Sequence, residues 1–379
     1  MAIYLDHNAT TPLDSRVLAE MTPYLTTLFG NPSSVHGCGR VVRGAVDQAR
    51  EQVAALGNAH PSQVIFTSGG TEANNMVFAG IALRYPVGQV LVSAIEHPSV
   101  LRSAQHLTAQ QWQVAKLPVD CAGRVSPQGL SEMLNPMTRL VSVMSANNEV
   151  GTLQDISALA DGCREQGVIF HSDAVQALGK VKVEFSASGA QLMSLSSHKI
   201  YGPQGCGALI VDKSVDLAAL MHGGGQERRR RAGTENVAAI VGFGKAAELA
   251  AAELESQQQH CLALRNLLEQ RLMQIDGVTL FASEAQRLPN TVMFAVKGIA
   301  GETMLMALDS LGFSVSSGSA CESGSEDPSH VLMAMGIERE LAMASIRISL
   351  GRQNTPQDIE GLIVALQQQI QMMRSMACY

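Results

Sequence analysis

No CxxC pair, no run of some 20 uninterrupted apolar residues and no general excess of basic charge occurs in the 379 residues. Each absence removes a class of function. Seven cysteines (Cys38, Cys121, Cys163, Cys206, Cys261, Cys321 and Cys378) are an odd number and widely scattered, which fits neither a disulfide framework nor a zinc site; no metal site is expected. Without an apolar run there is no candidate membrane span. Met1 to Asp14 has neither a basic leader nor an apolar segment, so a cytoplasmic location is expected. With a formal net charge of -7, the chain is not a general polyanion binder, and direct nucleic-acid binding is not expected despite the run Arg228 to Arg231.

What is present is an ordinary globular composition, 46% hydrophobic and 16% charged. From about residue 38, amphipathic segments alternate with short β-branched runs, the pattern of an α/β domain. Val42, Ala45, Val46, Ala49 and Val53 have helical spacing over Arg40 to Leu56. Val64 to Thr67 reads as a strand, joined by Ser68-Gly69-Gly70-Thr71-Glu72 to a helix over Ala73 to Leu83. Further strands are expected at Gln89 to Ser93, Leu140 to Met144, Val168 to His171, Gln191 to Leu195 and Gly207 to Val211. Such near-continuous apolar strands belong to a sheet covered on both faces, whose ligands bind beyond the strands' carboxyl ends. A proline-free stretch from Val237 to Ile275 reads as a long helix leading into a second unit, with strands at Thr291 to Val296 and Ser345 to Ser349. The first dozen residues are expected to pack near the active site.

Three segments at strand ends carry chemistry. Ser196-Ser197-His198-Lys199-Ile200-Tyr201-Gly202-Pro203 holds a lysine on a tight loop, where an amine can form a Schiff base with an aldehyde cofactor. His171-Ser172-Asp173-Ala174-Val175-Gln176 offers an acid that can keep a pyridinium nitrogen protonated, with Gln176 within reach of a ring hydroxyl. An isolated Asp after a strand can also cap a helix. Ser68 to Asn74 supplies hydroxyls and backbone N–H groups at a helix start, a phosphate cup. Phosphate cup, pyridinium partner and Schiff-base lysine together make a pyridoxal 5'-phosphate site.

With these residues in view, the chain resembles the NifS/IscS-type cysteine desulfurases of the class V aminotransferase superfamily. The resemblance runs through Leu5 to Pro12, Phe29 to Ser34, Thr71-Glu72, Glu96-His97-Pro98, Asn147 to Gly151, His171 to Gln176 and His198-Lys199. It continues in His222 to Arg228, Gly233-Thr234, Ser317 to Cys321 and Ile346 to Gly351. It implies an α/β fold of the PLP-dependent transferase, aspartate aminotransferase-like kind: a large domain with a mostly parallel central sheet and a smaller α+β domain. The expected boundaries are 15–256 for the large domain, and 1–14 with 257–379 for the small one, which carries the catalytic cysteine loop at about 314–330.

Residue by residue, the resemblance implies that Lys199 holds the cofactor and then carries the proton, and that His97 stacks on the ring. Asp173 and Gln176 contact its nitrogen and hydroxyl. Gly70, Thr71, Ser196 and His198 are expected at the phosphate, with Thr234 reaching the phosphate of the neighbouring subunit in a homodimer. Asn148 adjoins cofactor and substrate, and Asn31 and Arg347 join it in holding L-cysteine, Arg347 by a bidentate pair with the carboxylate.

Cys321 is the expected nucleophile. A thiolate attacks, and its small, polar surroundings from Ser314 to Ser329 suit a flexible loop that delivers sulfur to acceptor proteins. Glu322, Glu326 and Asp327 would raise its pKa, so activation is expected from bound substrate, from loop closure, or from a histidine such as His330 or His36. The long loop resembles the NifS/IscS group, whereas Met376 to Tyr379 ends without the extended tail of IscS-type enzymes. The reaction expected is cysteine to alanine, with sulfur held as a persulfide on Cys321. Selenocysteine lyase or aminotransferase activity, and a non-enzymatic sulfur carrier or metal-binding protein, are the competing readings.

Overall fold

The computed structural model describes residues 2–317 and 327–377; Cys321 and its neighbours Glu322 and Glu326 lie outside the described residues. Thirteen strands occur among them. They are β1 (Ile3–Tyr4), β2 (Val64–Thr67), β3 (Gln89–Ser93), β4 (Gln113–Leu117), β5 (Thr138–Ser142), β6 (Ile169–Asp173) and β7 (Leu192–Ser196). The rest are β8 (Gly207–Val211), β9 (Val278–Leu280), β10 (Thr291–Val296), β11 (Phe313–Ser314), β12 (Ser316–Ser317) and β13 (Ser345–Ser349).

Seven strands form one sheet in the order β2-β8-β7-β6-β5-β3-β4, parallel throughout except that β8 runs antiparallel to both neighbours. Six carboxyl ends therefore lie along one edge, where five of them carry Thr67, Ser93, Ser142, Asp173 and Ser196. A four-stranded antiparallel sheet, β12-β13-β10-β9, lies later in the chain. β1 pairs with β11, and Asp6 bridges Ser349, so the N-terminal segment is stitched to residues more than 300 positions away.

Both faces of the large sheet are covered, as its apolar strands require. On one face, helices α1 (Ser15–Thr26), α2 (Gly37–Leu56) and the first half of the Val237–Leu272 helix pack Val17, Val46, Val53 and Phe243 against Phe66 and Leu195. On the other, α3 (Gly70–Arg84) packs Met76, Phe78 and Ile81 against Val90 and Leu209. Each such side chain contributes about 1.5–3 kcal/mol of burial. The Val237–Leu272 helix then passes Leu264, Leu268 and Leu272 into a second core with Phe294, Ile346 and Leu362.

Elements begin and end where side chains intercept backbone groups. α2 starts three residues ahead of the expected Arg40 because the His36 ring accepts from Gly39 N at 3.2 Å, capping the first turn. The expected strand to Met144 stops at Ser142, since Met144 N donates to the Glu96 carboxylate at 2.6 Å. α3 starts at Gly70, not Ala73. Gly207 on β8 passes this turn so closely that a Cβ there would lie 2.7 Å from Gly69 Cα.

Candidate active site

Lys199 ends a short 3-10 turn directly after β7, and its Nζ donates to the backbone oxygens of Asn8 at 2.5 Å and Ala9 at 2.8 Å. The N-terminal segment thus meets the lysine, as the sequence suggested. Asp173, on the last residue of β6, is 4% exposed. Its Oδ2 accepts from Asn74 Nδ2 at 2.8 Å and its Oδ1 from Val175 N at 3.0 Å, so the carboxylate is aimed by two donors rather than capping a helix. Asn74, buried on α3 and also donating to Ser99 Oγ, was not singled out from the sequence. Its only signal is its place one helical turn after Thr71.

His97 caps the helix over Pro98–His106, its Nδ1 accepting from Ser99 N at 3.1 Å and lying 2.7 Å from Ser99 Oγ. An accepting Nδ1 places the ring proton of the neutral form on Nε2. Burial lowers its pKa, opposed by Asp173 and assisted by Lys199 and His330. Burial likewise takes His198 down to about 4, with Lys199 and Lys180 adding to the effect; its Nδ1 lies 3.1 Å from Thr10 Oγ1.

The start of α3 offers backbone N–H groups with no earlier carbonyl to take them. The Ser196 hydroxyl is buried without a partner, and its Cβ would lie 3.8 Å from a Cβ built on Gly70. An orphaned buried hydroxyl beside free helix-start donors fits a phosphate, with Thr71 on the same turn. The residues present therefore suit the cofactor expected from the sequence.

Arg347, central on β13, is nearly inaccessible. Its Nη2 lies 2.7 Å from Asp6 Oδ1, and its Nη1 donates to the Asn148 backbone oxygen at 3.1 Å. That same oxygen accepts from Asn8 Nδ2 at 3.1 Å, so Lys199, Asn8, Asn148 and Arg347 form one hydrogen-bonded chain. Gln176 joins it by donating from Nε2 to Asn8 O at 2.8 Å.

Asn31 and Thr234 are not drawn into this network. Asn31 is exposed on the turn ahead of α2, its Oδ1 taking Ser33 N, and Thr234 is exposed directly after Gly233. Of the two histidines named as activators, His36 serves the α2 cap, while His330 Nε2 donates to Glu96 O at 3.0 Å and acts on His97. The arginine run is structural in part: Arg231 pairs with Glu72 at 2.9 Å, and Arg228 donates to Ser62 O at 2.7 Å. A groove of about 700 Å³ opens beside Thr71, His97 and Ser99. A larger cleft of about 1170 Å³, lined by Arg124, Gln154 and Lys182, holds none of the expected residues, so size alone does not mark the site.

Glu149, next to Asn148, is buried and accepts a hydrogen bond from Ser329 Oγ. Burial pushes its carboxyl up from 4.5 to about 7, with Ser329 and Arg347 opposing. The folded protein therefore keeps a proton that the unfolded chain releases, and stability falls as pH rises from about 4.5 through about 7. Glu149→Gln, which keeps the acceptor, is expected to match the parent in urea unfolding near pH 5 and to exceed it by up to about 3 kcal/mol near pH 8. An equal gap at both pH values would assign the gain to something other than that proton.

The aminotransferase class-V family model matches residues 3–362. The cysteine desulfurase IscS of Methanosarcina thermophila is 43% identical over 99% of this chain and 94% of its own. Among solved structures, a NifS-like protein superimposes with a TM-score of 0.93 at 35% identity, covering 98% of this chain and 100% of its own. SspA in complex with cysteine does so with a TM-score of 0.82 at 31% identity, covering 93% and 99%.

Proposed function

The chain belongs to the class-V aminotransferase family, and from that premise we propose that it is a cysteine desulfurase, converting L-cysteine to L-alanine and holding the sulfur on Cys321. The observation that supports the reading is the hydrogen-bonded chain from Lys199 through Asn8 and Asn148 to Arg347, which links an amine to a buried guanidinium that already holds one carboxylate, that of Asp6. Full-length similarity to enzymes named cysteine desulfurase supports the choice of substrate.

Pyridoxal 5'-phosphate, when bound, supplies an electron sink for the carbon that loses its proton. The Ser196 hydroxyl, His198, Gly70 and Thr71 would hold its phosphate, and His97 would lie against its ring. Asp173, aimed by Asn74, would hold a proton on the ring nitrogen, and Gln176 would donate to the ring oxygen. Lys199 Nζ would be the amine that holds the aldehyde group, and it would take the substrate α-proton and later return one. Arg347 and Asn148 orient the substrate carboxylate. The Cys321 thiolate attacks the substrate sulfur: an S–S bond forms, the Cβ–S bond breaks, and its electron pair remains with the carbon skeleton, which is protonated to alanine. The persulfide then passes to an acceptor protein.

Residues 15–256 would form the large domain, and 1–14 with 257–379 the small one. The division of the Val237–Leu272 helix between two cores supports a boundary within it. Exposed Phe29 and Val35 flank Asn31, and exposed Met221 precedes the Thr234 loop; these apolar residues support a homodimer in which both loops face the partner's site. No helix among the described residues is long and apolar enough to cross a membrane; we place the enzyme in the cytoplasm.

The test is incubation of purified protein with L-cysteine and a reductant, with alanine and sulfide quantified for the parent and for Cys321→Ala. Equal amounts of both products from the parent, and a variant that keeps its visible absorption but yields no sulfide, are expected. A yellow parent that makes neither product would retire the desulfurase reading and leave transamination to be tried.

A further inference from the structure

Resting on that reading, we infer that Lys180, which no step above uses, is a positioning residue: it fixes the orientation of the Gln176 amide, and with it the donor that Gln176 offers to the cofactor's ring oxygen. Lys180 is 6% exposed, an unusual place for a lysine without a chemical task. It follows Gly179, whose left-handed backbone (φ 69°) turns the chain inward; a Cβ there would meet Ile200 Cγ2 at 2.6 Å.

The Lys180 Nζ donates to Gln176 Oε1 at 2.7 Å and to Asn8 Oδ1 at 2.8 Å. The Asn8 amide is not free to turn. Asn8 Nδ2 is committed to Asn148 O and Thr291 Oγ1, and Asn8 Oδ1 also accepts from Asn290 Nδ2 at 3.1 Å, so the Asn8 oxygen must face Lys180. A side-chain amide has an acceptor at one end and donors at the other. With its Oε1 held by Lys180, Gln176 turns Nε2 towards Asn8 O, the atom that also receives Lys199 Nζ. The Gln176 donor and the Lys199 amine therefore converge on one carbonyl oxygen. The orientation is the same in either charge state of Lys180, because both of its bonds are donations. Burial drives its amine well below the ordinary lysine range, helped by Lys199 and Arg347 and opposed by Cys261. His7 and His198 also sense it.

A donor at the ring oxygen stabilises its anionic form and so favours release of the proton from the nitrogen joining Lys199 to the cofactor. Without Lys180, Gln176 can turn its own oxygen towards that anion, which holds the proton. The readout is the pH midpoint of the holoenzyme's visible absorption band. In Lys180→Met the midpoint is expected to rise by roughly one to two pH units, the worth of one hydrogen bond to a charged group. Lys180→Gln, which restores a donor without a charge, is expected to return it most of the way.

The deciding comparison is a double-mutant cycle with Gln176→Ala. If Lys180 acts through Gln176, Lys180→Met adds little to the shift already present in Gln176→Ala. Additive shifts, or a Lys180→Gln midpoint as high as that of Lys180→Met, would show that Lys180 acts by charge and overturn the inference. An unshifted Lys180→Met would overturn it as well. Should Lys180→Met fail to fold or load, Lys180→Gln measured with and without Gln176→Ala decides: a midpoint near the parent's, rising only with Gln176→Ala, supports the inference, and a raised one in Lys180→Gln alone overturns it. A parent with no visible band would instead bring down the functional reading itself.

Discussion

Lys199→Ala is expected to lose alanine and sulfide formation together, by on the order of a thousandfold or more, because one amine is asked both to hold the cofactor and to move the α-proton. The loss should fall on kcat. In the proposed mechanism the substrate carboxylate is held by Arg347, which reaches the network through Asn148 rather than through the lysine. The fold should survive, since Asn8 O keeps its donor from Gln176 Nε2. Steady-state assays of alanine release, with visible spectra and thermal melting of the same samples, separate these effects. A variant within tenfold of the parent would show that another amine serves, and attention would pass to Lys180, the nearest lysine in the same hydrogen-bonded cluster.

The largest effect on stability is expected at Arg50. Its guanidinium forms a fork on Glu227, with Nη2 to Oε1 at 2.7 Å and Nη1 to Oε2 at 2.8 Å, and the two side chains are only 9% and 3% exposed. Arg50 also donates to Val64 O and lies 4.7 Å from the centroid of the Phe66 ring, while Glu227 Oε2 accepts Phe66 N at 2.8 Å. Removing either partner leaves a buried charge uncompensated, which costs about 3–5 kcal/mol. Arg50→Ala and Glu227→Ala should each lower the urea midpoint accordingly. The double change Arg50→Met with Glu227→Leu should recover part of the loss, short of the parent because Phe66 N is left without its acceptor. A fall below about 1 kcal/mol in the single variants would mean that the pair is hydrated and belongs with surface ion pairs. The pair also pins Glu227, Arg228 and Arg229, which all adopt positive φ, at the base of the loop leading to Thr234.

The apolar strands of the large sheet were legible because burial on both faces writes itself as continuous runs, and all but one were located to within two residues. β4 was not. Gln113–Leu117 lies at the sheet edge, with only Leu117 fully buried, and mixes Gln and Lys with its apolar residues. β1, β9, β11 and β12 are two or three residues long, too short for any period to show. Lys199, Asp173 and the Gly70 turn stood out because each follows a strand with turn residues. Asn74 and Lys180 did not, since their meaning lies in partners: a donor to Asp173 and a donor to Gln176. Asn8 sat inside a quoted motif with no role attached, because its contacts reach 140 to 341 residues along the chain.

That reach bears on the order in which the molecule is made. Asn8 leaves the ribosome early, yet its backbone N–H is satisfied by Ser349 Oγ, 341 residues later. At about 5–20 residues per second, the interval is roughly 20 to 70 s. Throughout it, the large sheet can fold behind a segment that has no place to dock, and Lys199 lacks the carbonyls of Asn8 and Ala9 in their final positions. A nascent or prematurely truncated chain would thus own Gly70, Thr71 and Ser196 and still lack the bond that anchors Asn8 beside Lys199, so that this corner of the molecule is complete only once synthesis has reached β13.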